Sequence, residues 1–561
     1  MLRPLATALT LLFVPFAAYA QWQPGGFGVC TETGGQMFPA TSPDGAGGMF
    51  ITWYDYRSGT HPDIYAQRLN AAGVPQWASG GVAVCAATDD QLLPSVIPDG
   101  AGGAIIAWHD GRTGGVNVNA DIYAQKLNAA GVPQWTTDGV LISSGARNQF
   151  VPKLASDGAG GAIITWYDYR NNFSTPDIYA QRVNSAGVVQ WLADGIEIAV
   201  IQGTQIGPRI VSDGAGGAVI VWLDFRSLTH YDVYAQRVTS AGAAQWGANG
   251  TAISTSGGLK FNLETVSDGA GGAIATWQDN RGVSADIYAQ RVTVAGIAQW
   301  TGDAAVCTEG SHQDYPTIAT DGANGAVIAW EDGRVSGTDI YAQHINATGT
   351  AQWTPNGVAL CAASGAQDRT STASDGSGGA IVVWQDRRSG DYDLYAQRVN
   401  AAGVTQWTSG GIVITTASGE QRFPVIFSGG SGGAFLAWQD ARNSDPDIYA
   451  QRLSGSGSIP TAVGEARSLA RVTLSPNVPN PFSNQTAFDL GLPQDADAEV
   501  SVYDVTGRLV RRMDLARSAA GSRRLAFDAR GNDGRPLPSG VYFYRLHAGA
   551  ETVTKKMVIA R

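Results

Sequence analysis

The chain has 561 residues, of which 44% are hydrophobic and 15% charged, and its formal net charge is −11. This balance is typical of a folded protein, and the length allows more than one domain. Residues 465–561 carry a net charge of +4, so the rest of the chain carries −15. Phosphate binding needs a basic surface, and we therefore expect no nucleic acid and no anionic lipid among the partners.

The first 20 residues have the three parts of a secretory signal peptide. Met1-Leu2-Arg3 is a short basic start, residues 5–16 are mostly apolar, and Ala18-Tyr19-Ala20 is a small-x-small cleavage site. No later stretch approaches the roughly 18 apolar residues that a membrane helix needs. The sequence predicts a secreted or surface-displayed protein with no transmembrane segment in the mature chain.

One pair of motifs then occurs eight times, at a period of 53 to 58 residues. Each copy has a W-x-D-x-R string followed by D-[IVL]-Y-A-Q, and a second tryptophan lies in a Gln-Trp pair. The W-x-D-x-R residues are Trp53, Asp55, Arg57, Trp108, Asp110, Arg112, Trp166, Asp168, Arg170, Trp222, Asp224, Arg226, Trp277, Asp279, Arg281, Trp330, Asp332, Arg334, Trp384, Asp386, Arg388, Trp438, Asp440 and Arg442. The Gln-Trp residues are Trp22, Trp77, Trp135, Trp191, Trp246, Trp300, Trp353 and Trp407. Repeats of this length, made of short strands and Gly turns, predict the blades of a β-propeller.

The third repeat shows how four strands fit into one copy. Two-residue alternation and turn residues predict strands at 152–156, 162–170 and 177–184, with a fourth strand starting at 188–191. The last repeat ends at Leu453 without a Gln-Trp strand, whereas the mature chain begins with an unpaired one, Gln21-Trp22. The N-terminal segment is therefore expected to complete the last blade, which leaves no free sheet edge. We predict an all-β protein: an eight-bladed propeller over 21–453, a Ser/Gly linker over 454–466, and a small β-sandwich over 467–561.

The W-x-D-x-R string is interpreted as structural because it occurs eight times. Catalysis needs one asymmetric set of groups, such as an acid and a base with separated pKa values. In the third repeat Arg170 ends one predicted strand and Asp177 begins the next. We expect a cross-strand network of Asp168, Arg170 and Asp177 that holds each blade at one end. A ring of ligand-binding sites is the alternative.

The four cysteines occupy one repeat position, held elsewhere by Ser, Ala or Thr. They are Cys30, Cys85, Cys307 and Cys361. Small packed side chains explain the position. The alternative is two disulfides between neighbouring blades, Cys30 with Cys85 and Cys307 with Cys361, which export would permit. No Cys or His lies at metal-ligand spacing, and we expect neither a metal nor a cofactor.

The loops between the second and third strands vary, whereas the Gly-rich turns at the other end hardly change. Loops on a rigid scaffold are where binding residues concentrate. The candidate ligand-binding residues on these loops are His61, Phe173, His230, Tyr231 and Tyr392.

The C-terminal segment contains several recognisable motifs. They are Pro479-Asn480-Pro481-Phe482, a V-Y-D-V-T-G-R string with Gly507, an S-G-V-Y-F-Y-R-L string with Gly540 and Tyr542, and a final strand with Lys555 and Lys556. These motifs resemble the FlgD Ig-like and type IX secretion C-terminal sorting domains of exported bacterial proteins. The resemblance implies an Ig-like sandwich that engages outer-membrane secretion machinery, and residues 528–534 are closer to the FlgD-like branch.

The propeller repeats also resemble the tryptophan-docking repeats of eight-bladed quinoprotein propellers, in which a Trp packs between blades. The quinone cofactor needs a unique set of polar ligands, which we cannot assign in this sequence.

We predict a propeller that binds an extracellular ligand, a glycan or another polymer, or a protein. A glycoside hydrolase or lyase is the alternative and needs two carboxylates roughly 5 to 9.5 Å apart in the central funnel. A structural component of a surface layer is the third hypothesis.

Overall fold

The computed structural model describes residues 22–116, 118–335, 337–459, 472–474, 477, 480–492, 496–518, 521–549 and 551–560. The proposed signal peptide and Pro479 lie outside these residues. The chain divides into two compact units at Ala462 and Val463. In the described part of the chain, no helix has the length and apolar character needed to cross a membrane.

The first unit contains eight antiparallel sheets of four strands each, which we call blades 1 to 8. The first strands are β2 (Gln36–Pro43), β6 (Gln91–Pro98), β10 (Gln149–Ser156), β14 (Gln205–Ser212), β18 (Lys260–Ser267), β22 (Gln313–Thr320), β26 (Gln367–Ser374) and β30 (Gln421–Gly430). The second strands, each containing the Trp of W-x-D-x-R, are β3 (Met49–Asp55), β7 (Ala104–Asp110), β11 (Ala162–Asp168), β15 (Ala218–Asp224), β19 (Ala273–Asp279), β23 (Ala326–Asp332), β27 (Ala380–Asp386) and β31 (Gly433–Asn443). The third strands are β4 (Asp63–Leu69), β8 (Asp121–Leu127), β12 (Asp177–Val183), β16 (Asp232–Val238), β20 (Asp286–Val292), β24 (Asp339–Ile345), β28 (Asp393–Val399) and β32 (Asp445–Leu453). The fourth strands are β5 (Val82–Cys85), β9 (Val140–Ser143), β13 (Ile196–Ala199), β17 (Thr251–Ser254), β21 (Ala304–Cys307), β25 (Val358–Cys361), β29 (Ile412–Thr415) and, for blade 8, β1 (Phe27–Cys30).

The blades form a closed ring around their first strands. Each first strand contacts the first strands of both neighbouring blades, and β30 of blade 8 contacts β2 of blade 1. The first strands therefore surround a central channel, and the fourth strands lie at the rim. The N-terminal β1 pairs antiparallel with β32, with Phe27 opposite Ala450. The predicted eight-bladed propeller, closed by an N-terminal strand, is confirmed.

The second strands form the core of each blade, because apolar residues cover both of their faces. Phe50, Ile106 and Ile164 are at most 1% exposed, and all eight W-x-D-x-R tryptophans are fully buried. Such continuous burial is expected when each sheet packs between two others. The core therefore repeats from one blade interface to the next.

The Gln-Trp tryptophans connect neighbouring blades. The indole Nε1 of Trp135 donates to the carbonyl of Ser185 in the next blade at 3.2 Å, and the seven equivalent indoles make the same bond at 2.9 to 3.3 Å. Gly187, in the turn that receives Trp135, has a φ of +80°, and a Cβ there would lie 2.6 Å from the ring. Glycine is thus required both by the turn and by the close approach of the indole.

Two predicted strand starts are wrong, and the second and third strands end at Asp168 and Val183, one or two residues before their predicted ends. The first strand of blade 3 begins at Gln149, three residues before the predicted start. The fourth strand begins at Ile196, because the segment around Trp191 belongs to the connection before it. There Gln181 holds the chain: its Oε1 accepts the N–H of Trp191 at 3.0 Å, and its Nε2 donates to the carbonyl of Leu192 at 2.7 Å.

The second unit is a small β-sandwich, as predicted. One sheet contains β33 (Thr473–Leu474), β34 (Thr486–Leu492) and β37 (Gly521–Phe527) in the order β33-β34-β37. The other contains β35 (Ala496–Asp504), β36 (Leu509–Ser518), β38 (Gly540–Ala548) and β39 (Glu551–Ile559) in the order β36-β35-β38-β39. Its core includes Phe482, Phe488, Val500, Tyr544 and Met557.

Candidate functional site

The W-x-D-x-R residues form the same buried arrangement in every blade. In blade 3 the Trp166 indole donates to Asp168 Oδ2 at 2.8 Å, and Arg170 Nη2 lies 2.5 Å from the same oxygen. The guanidinium stacks 3.9 Å above the ring of Tyr179 and donates to the carbonyl of Asp194 at 2.8 Å. The other seven blades repeat the Trp–Asp bond, the Asp–Arg pair and the stacking on Tyr. The arrangement links the second and third strands of a blade to the connection before the fourth.

The predicted network is wrong in its second carboxylate. Asp177 lies opposite Asp168 in the strand register, but its Oδ2 accepts a hydrogen bond from Asn171 Nδ2 at 2.9 Å. Arg170 instead reaches outward to the connection before the fourth strand. The physical reason is that the guanidinium already has Asp168, a backbone carbonyl and an aromatic ring as partners on that side.

The four cysteines are free and buried, so the alternative of two disulfides is wrong. Each lies at the end of a fourth strand, at the rim. Cys30 Sγ lies 3.0 Å from Arg57 Nη2 of the adjacent blade, and Cys361 Sγ lies 3.0 Å from Arg388 Nη2. Burial raises the pKa of Cys30 to about 12 and that of Cys361 to about 11. These thiols are therefore protonated and unreactive in the folded protein.

The five predicted ligand-binding residues lie in loops of four different blades and do not form one site. His61 Nδ1 lies 2.7 Å from Asp90 and 3.7 Å from Asp89, and all three residues are at least partly exposed. The Phe173 ring is 76% exposed and lies 3.9 Å from the Arg147 guanidinium.

The other three predicted residues have partners within the propeller. His230 Nε2 lies 3.2 Å from Asp232, and the ring of Tyr231 packs against Phe225 at 4.9 Å. Tyr392 donates its hydroxyl to Asp368 Oδ2 at 2.9 Å. Of the five, Tyr392 alone contacts the cluster of acidic residues described below.

The loop face of the propeller, which holds the connections between second and third strands, also holds the start of each first strand. The third residue of every first strand has a positive φ, between 49° and 63°. These eight residues, which we call the mouth residues, are Phe38, Leu93, Val151, Gly207, Asn262, Tyr315, Arg369 and Phe423. Residues other than glycine rarely adopt this conformation, least of all a β-branched one such as Val151. The strained residues encircle the channel at its loop-face end.

Next to the mouth residues, one pair of repeat positions has different types of side chain in different blades. The second residue of each first strand lies opposite the first variable residue of W-x-D-x-R. In blades 1 to 5 the second residue of the first strand is apolar. In blades 6 to 8 it is charged, and we call these three pairs the charged sector. The pairs of blades 1 to 5 are Met37–Tyr54, Leu92–His109, Phe150–Tyr167, Ile206–Leu223 and Phe261–Gln278, and those of the charged sector are Asp314–Glu331, Asp368–Gln385 and Arg422–Gln439.

Hydrogen bonds connect the charged sector to the mouth residues. Glu331 Oε1 accepts the backbone N–H of Arg369 at 2.7 Å, and Gln385 Oε1 accepts that of Phe423 at 2.7 Å. Gln385 Nε2 also donates to Asp368 Oδ1 at 2.9 Å. Glutamate and glutamine thus play the same structural part in blades 6 and 7.

Burial controls the protonation of these carboxyl groups. It raises the pKa of Glu331 to about 7, with the Asp368 carboxylate acting in the same direction, and it raises the pKa of both Asp314 and Asp368. A carboxyl group that titrates near neutrality can donate or accept a proton at physiological pH. The charged sector thus has the asymmetry that the W-x-D-x-R arrangement lacks.

An aromatic cleft of about 250 Å³ adjoins the charged sector. Phe38, Arg369 and Phe423 line it, together with Pro39, Thr370, Pro424 and Val425. The rings of Phe38 and Phe423 are 4.6 Å apart between centroids, and Phe38 stacks on Tyr54 at 5.5 Å. The Arg369 guanidinium lies 5.3 Å from the ring of Tyr315. Exposed aromatic rings, a guanidinium and carboxylates therefore meet at one sector of the channel mouth.

The residues of the C-terminal motifs have structural roles in the β-sandwich. Phe482 and Tyr542 are buried, and the Tyr542 hydroxyl donates to the carbonyl of Pro538 at 2.9 Å. Asn480 Oδ1 accepts the N–H of Val558 at 2.9 Å, so the segment containing Pro481 lies along β39. Gly507 has a φ of 83° in the turn between β35 and β36, and Gly540 begins β38. Lys555 is half-buried, and Lys556 is exposed on β39.

The two parts of the chain are similar to different known proteins. Residues 476–551 match the family model of the FlgD Ig-like domain. FlgD from P. aeruginosa is 27% identical over 15% of this chain and 67% of its own, with a TM-score of 0.13. A PL25 ulvan lyase is 10% identical, with 79% of this chain and 96% of the lyase covered and a TM-score of 0.41. The α-L-arabinanase of Penicillium chrysogenum is 13% identical, with 57% and 97% covered and a TM-score of 0.35. No curated protein matches the sequence.

The family match supports an Ig-like C-terminal domain of the FlgD kind. The residues of the charged sector and the aromatic cleft, by contrast, were missed by the sequence analysis. Their signal was present in the repeat: Asp314, Asp368 and Arg422 stand where the first five blades have apolar residues.

Proposed function

We propose that the propeller is an extracellular binding module that holds a glycan at the loop-face mouth of its channel. The observation that carries the proposal is the charged sector beside the aromatic cleft. The scaffold accepts apolar residues at these positions in five blades, so the charges of blades 6 to 8 are not needed for folding. Residues that vary while the scaffold stays constant are those expected to serve a ligand.

The chemistry of the cleft suits a sugar. Sugar rings present apolar C–H faces that stack on aromatic side chains, and hydroxyl groups that bond carboxylates, amides and guanidinium groups. Phe38 and Phe423 offer the rings, and Arg369 and Asp368 offer the polar groups. The acidic propeller is unsuited to nucleic acid.

The test compares glycan binding by the full chain with binding by two matched variants. In the first variant Phe38 and Phe423 are both replaced by alanine. In the second Phe173, which is 76% exposed and outside the cleft, is replaced by alanine. We expect the cleft variant to lose about 5- to 150-fold in affinity for a glycan found on an array, since aromatic contacts contribute about 0.5–1.5 kcal/mol each. Phe173→Ala should bind as the unmodified chain does. Equal loss in both variants, or loss only in Phe173→Ala, would contradict the proposal.

Cleavage of a glycan by hydrolysis or by a lyase reaction is a second candidate function. The environment of Glu331 is the observation that favours it. Its carboxyl has a pKa of about 7 because it is buried, and it lies opposite Asp314 in the strand register. Directly opposed residues have Cβ atoms about 4.5–5.5 Å apart, close enough for an acid and a second carboxylate to act on one bond. Turnover of a polysaccharide or chromogenic glycoside that is lost in Glu331→Gln would establish the activity. If the unmodified chain binds the glycan without turnover, the result would contradict the catalytic function and leave binding as the function.

We also propose that the Ig-like domain serves export. A sorting role rests on the resemblance of its motifs to type IX secretion C-terminal domains, and a signal peptide at residues 1–20 would direct the chain across the inner membrane first. The proposed localisation is the outer surface of a bacterium or the extracellular medium.

A further inference from the structure

One repeat position on the first strands carries charge in three consecutive blades. It is the fifth residue of the strand, and it is Lys153 in β10, Arg209 in β14 and Glu264 in β18. The other five blades have uncharged residues there, namely Ala40, Ser95, Thr317, Ser371 and Val425. The scaffold therefore does not require charge at this position.

The charged side chains face the central channel. Arg209 and Glu264 form a bidentate ion pair between neighbouring blades, with N–O distances of 3.0 and 2.7 Å. Their side chains are 25% and 38% exposed. Each first strand is flanked by other first strands, so the water that reaches these groups is the water of the channel.

The positive charge of Lys153 is not neutralised within this cluster. Among the residues that the structure describes, none makes a hydrogen bond or an ion pair with its ammonium group. Burial, followed by the neighbouring Arg209, lowers the pKa of Lys153 to about 8, so the side chain is still mainly protonated at pH 7. Arg209 and Glu264 neutralise each other, which leaves Lys153 as an uncompensated positive charge. The residue is half-buried, and an anion that enters the channel can pair with its free ammonium group.

We propose that Lys153, beside the Arg209–Glu264 pair, is an anion subsite that receives the carboxylate or sulfate group of an acidic glycan. The inference rests on the proposed function and specifies its ligand class. Lys153 lies two residues beyond the mouth residue Val151 on the same strand, and therefore deeper in the channel. An acidic substituent on a glycan held at the mouth can therefore point down the channel toward the ammonium group.

The test uses the full chain and two variants that keep residue types the repeat already accepts. Lys153→Ser gives blade 3 the residue that blade 2 has at Ser95. The second variant combines Lys153→Ser with Ser95→Lys, which keeps the channel charge but moves it to another blade. Affinities are measured by calorimetry for oligogalacturonate, sulfated dextran, unsulfated dextran and inorganic sulfate, and thermal unfolding checks that each variant is folded.

We expect the unmodified chain to prefer one or both acidic polymers to unsulfated dextran. Lys153→Ser should lower that affinity about 10- to 100-fold, the range expected when a hydrogen bond to a charged group is lost. The charge-moved variant should not restore it. The oligogalacturonate and sulfated dextran arms identify whether carboxylate or sulfate is recognised.

The outcomes separate this inference from the proposed function. Binding of neutral and acidic polymers with equal affinity, or unchanged affinity in Lys153→Ser, would overturn the anion subsite while leaving glycan binding in place. Sulfate binding that depends on Lys153, without binding of any polymer, would support the anion subsite and contradict the glycan ligand.

Discussion

At the scale of single residues, the buried tryptophans are the clearest determinants of stability. Trp166 is fully buried, and its indole N–H donates a hydrogen bond to Asp168. We expect Trp166→Ala to lower the free energy of unfolding by about 3–5 kcal/mol, the cost of a large cavity. Denaturant unfolding of the full chain measures it. Phe173→Ala is the control and should cost less than about 1 kcal/mol, because its ring is exposed. A similar cost for both substitutions would contradict the assignment of Trp166 to the core.

Glu331 makes the stability of the propeller depend on pH. Burial raises the pKa of this carboxyl from 4.5 in the unfolded chain to about 7 in the folded protein. The folded state therefore binds the proton more tightly, and this contribution is complete below pH 4.5 and is lost as the pH rises through 7. Between pH 4.5 and 8 the loss is at most about 3 kcal/mol.

Glu331→Gln should abolish that dependence without disturbing the backbone, because Gln385 already makes the equivalent bond in blade 7. We expect the variant to be the more stable protein at pH 8 and to approach the unmodified chain at pH 4.5. Unfolding curves at the two pH values measure the difference. A difference between the two proteins that does not change with pH would show that Glu331 titrates normally.

The cysteines also have a natural control within the repeat. Ser143 and Ser254 occupy the position of Cys85 in blades 2 and 4. We expect Cys85→Ser to change the free energy of unfolding by less than about 1 kcal/mol, because the small hydroxyl can take the place of the thiol beside Arg112. An alkylating reagent should label no cysteine in the native protein and all four after unfolding without reductant. Labelling of fewer than four would indicate a disulfide.

At the scale of elements, most of the propeller could be predicted from the sequence. The repeat fixed the number of blades, and two-residue alternation located the second and third strands. The fourth strand was predicted too early because the pattern around Trp191 resembles a strand. In the structure Trp191 donates its backbone N–H to Gln181 Oε1, ten residues away, and this bond holds it in a connection. Alternation cannot report such a bond. The partner of Arg170 was misassigned for a similar reason, since its carbonyl acceptor at Asp194 comes from a segment that side-chain patterns do not reveal.

The closing strand provides a test of the ring. β1 supplies the fourth strand of blade 8, and Trp22 donates to the carbonyl of Ala71 in blade 1 at 3.0 Å. We expect removal of residues 21–30 to expose the edge of β32, to lower the melting temperature and to promote aggregation. Light scattering and thermal unfolding measure these effects. Trp22→Ala is the control, since it removes the indole but keeps the strand, and it should aggregate less than the deletion variant. Unchanged solubility and melting of the deletion variant would contradict closure by β1.

At the scale of the whole molecule, the sequence indicated which face of the propeller should bind a ligand, but not which residues of that face form the site. It favoured the loop face and selected exposed aromatic and His residues, of which Tyr392 contacts the charged sector. The rest of the candidate site lies on the first and second strands. Its recognition depends on knowing that Asp314 and Glu331 are opposed and that the mouth residues have positive φ. Both facts follow from a bulge in the first strand, between the second and fifth residues, which the apolar pattern does not encode.

The division into two units predicts that the propeller does not need the Ig-like domain to fold. A chain lacking residues 471–561 should keep the melting transition of the propeller, because its core is complete within blades 1 to 8. In the bacterium we expect this truncated chain to remain in the periplasm, as fractionation would show. Deletion of residues 460–465 within the predicted linker is the control and should leave export intact. Efficient surface delivery of the truncated chain would contradict the sorting role.

Because β1 closes the ring, the propeller can be completed only after its last blade has been synthesised. Residues 27–30 are synthesised early, but their partner β32 ends at Leu453, so the strand must wait for more than 400 residues before it can pair. During that interval the growing chain has both an unpaired strand at its start and an open edge on its newest blade. Loop closure over such a length costs only a few kcal/mol of entropy, but it is non-local and therefore slow. The molecule is most exposed to misassembly just before it is finished, and a factor that delays folding until the last blade has emerged would protect it.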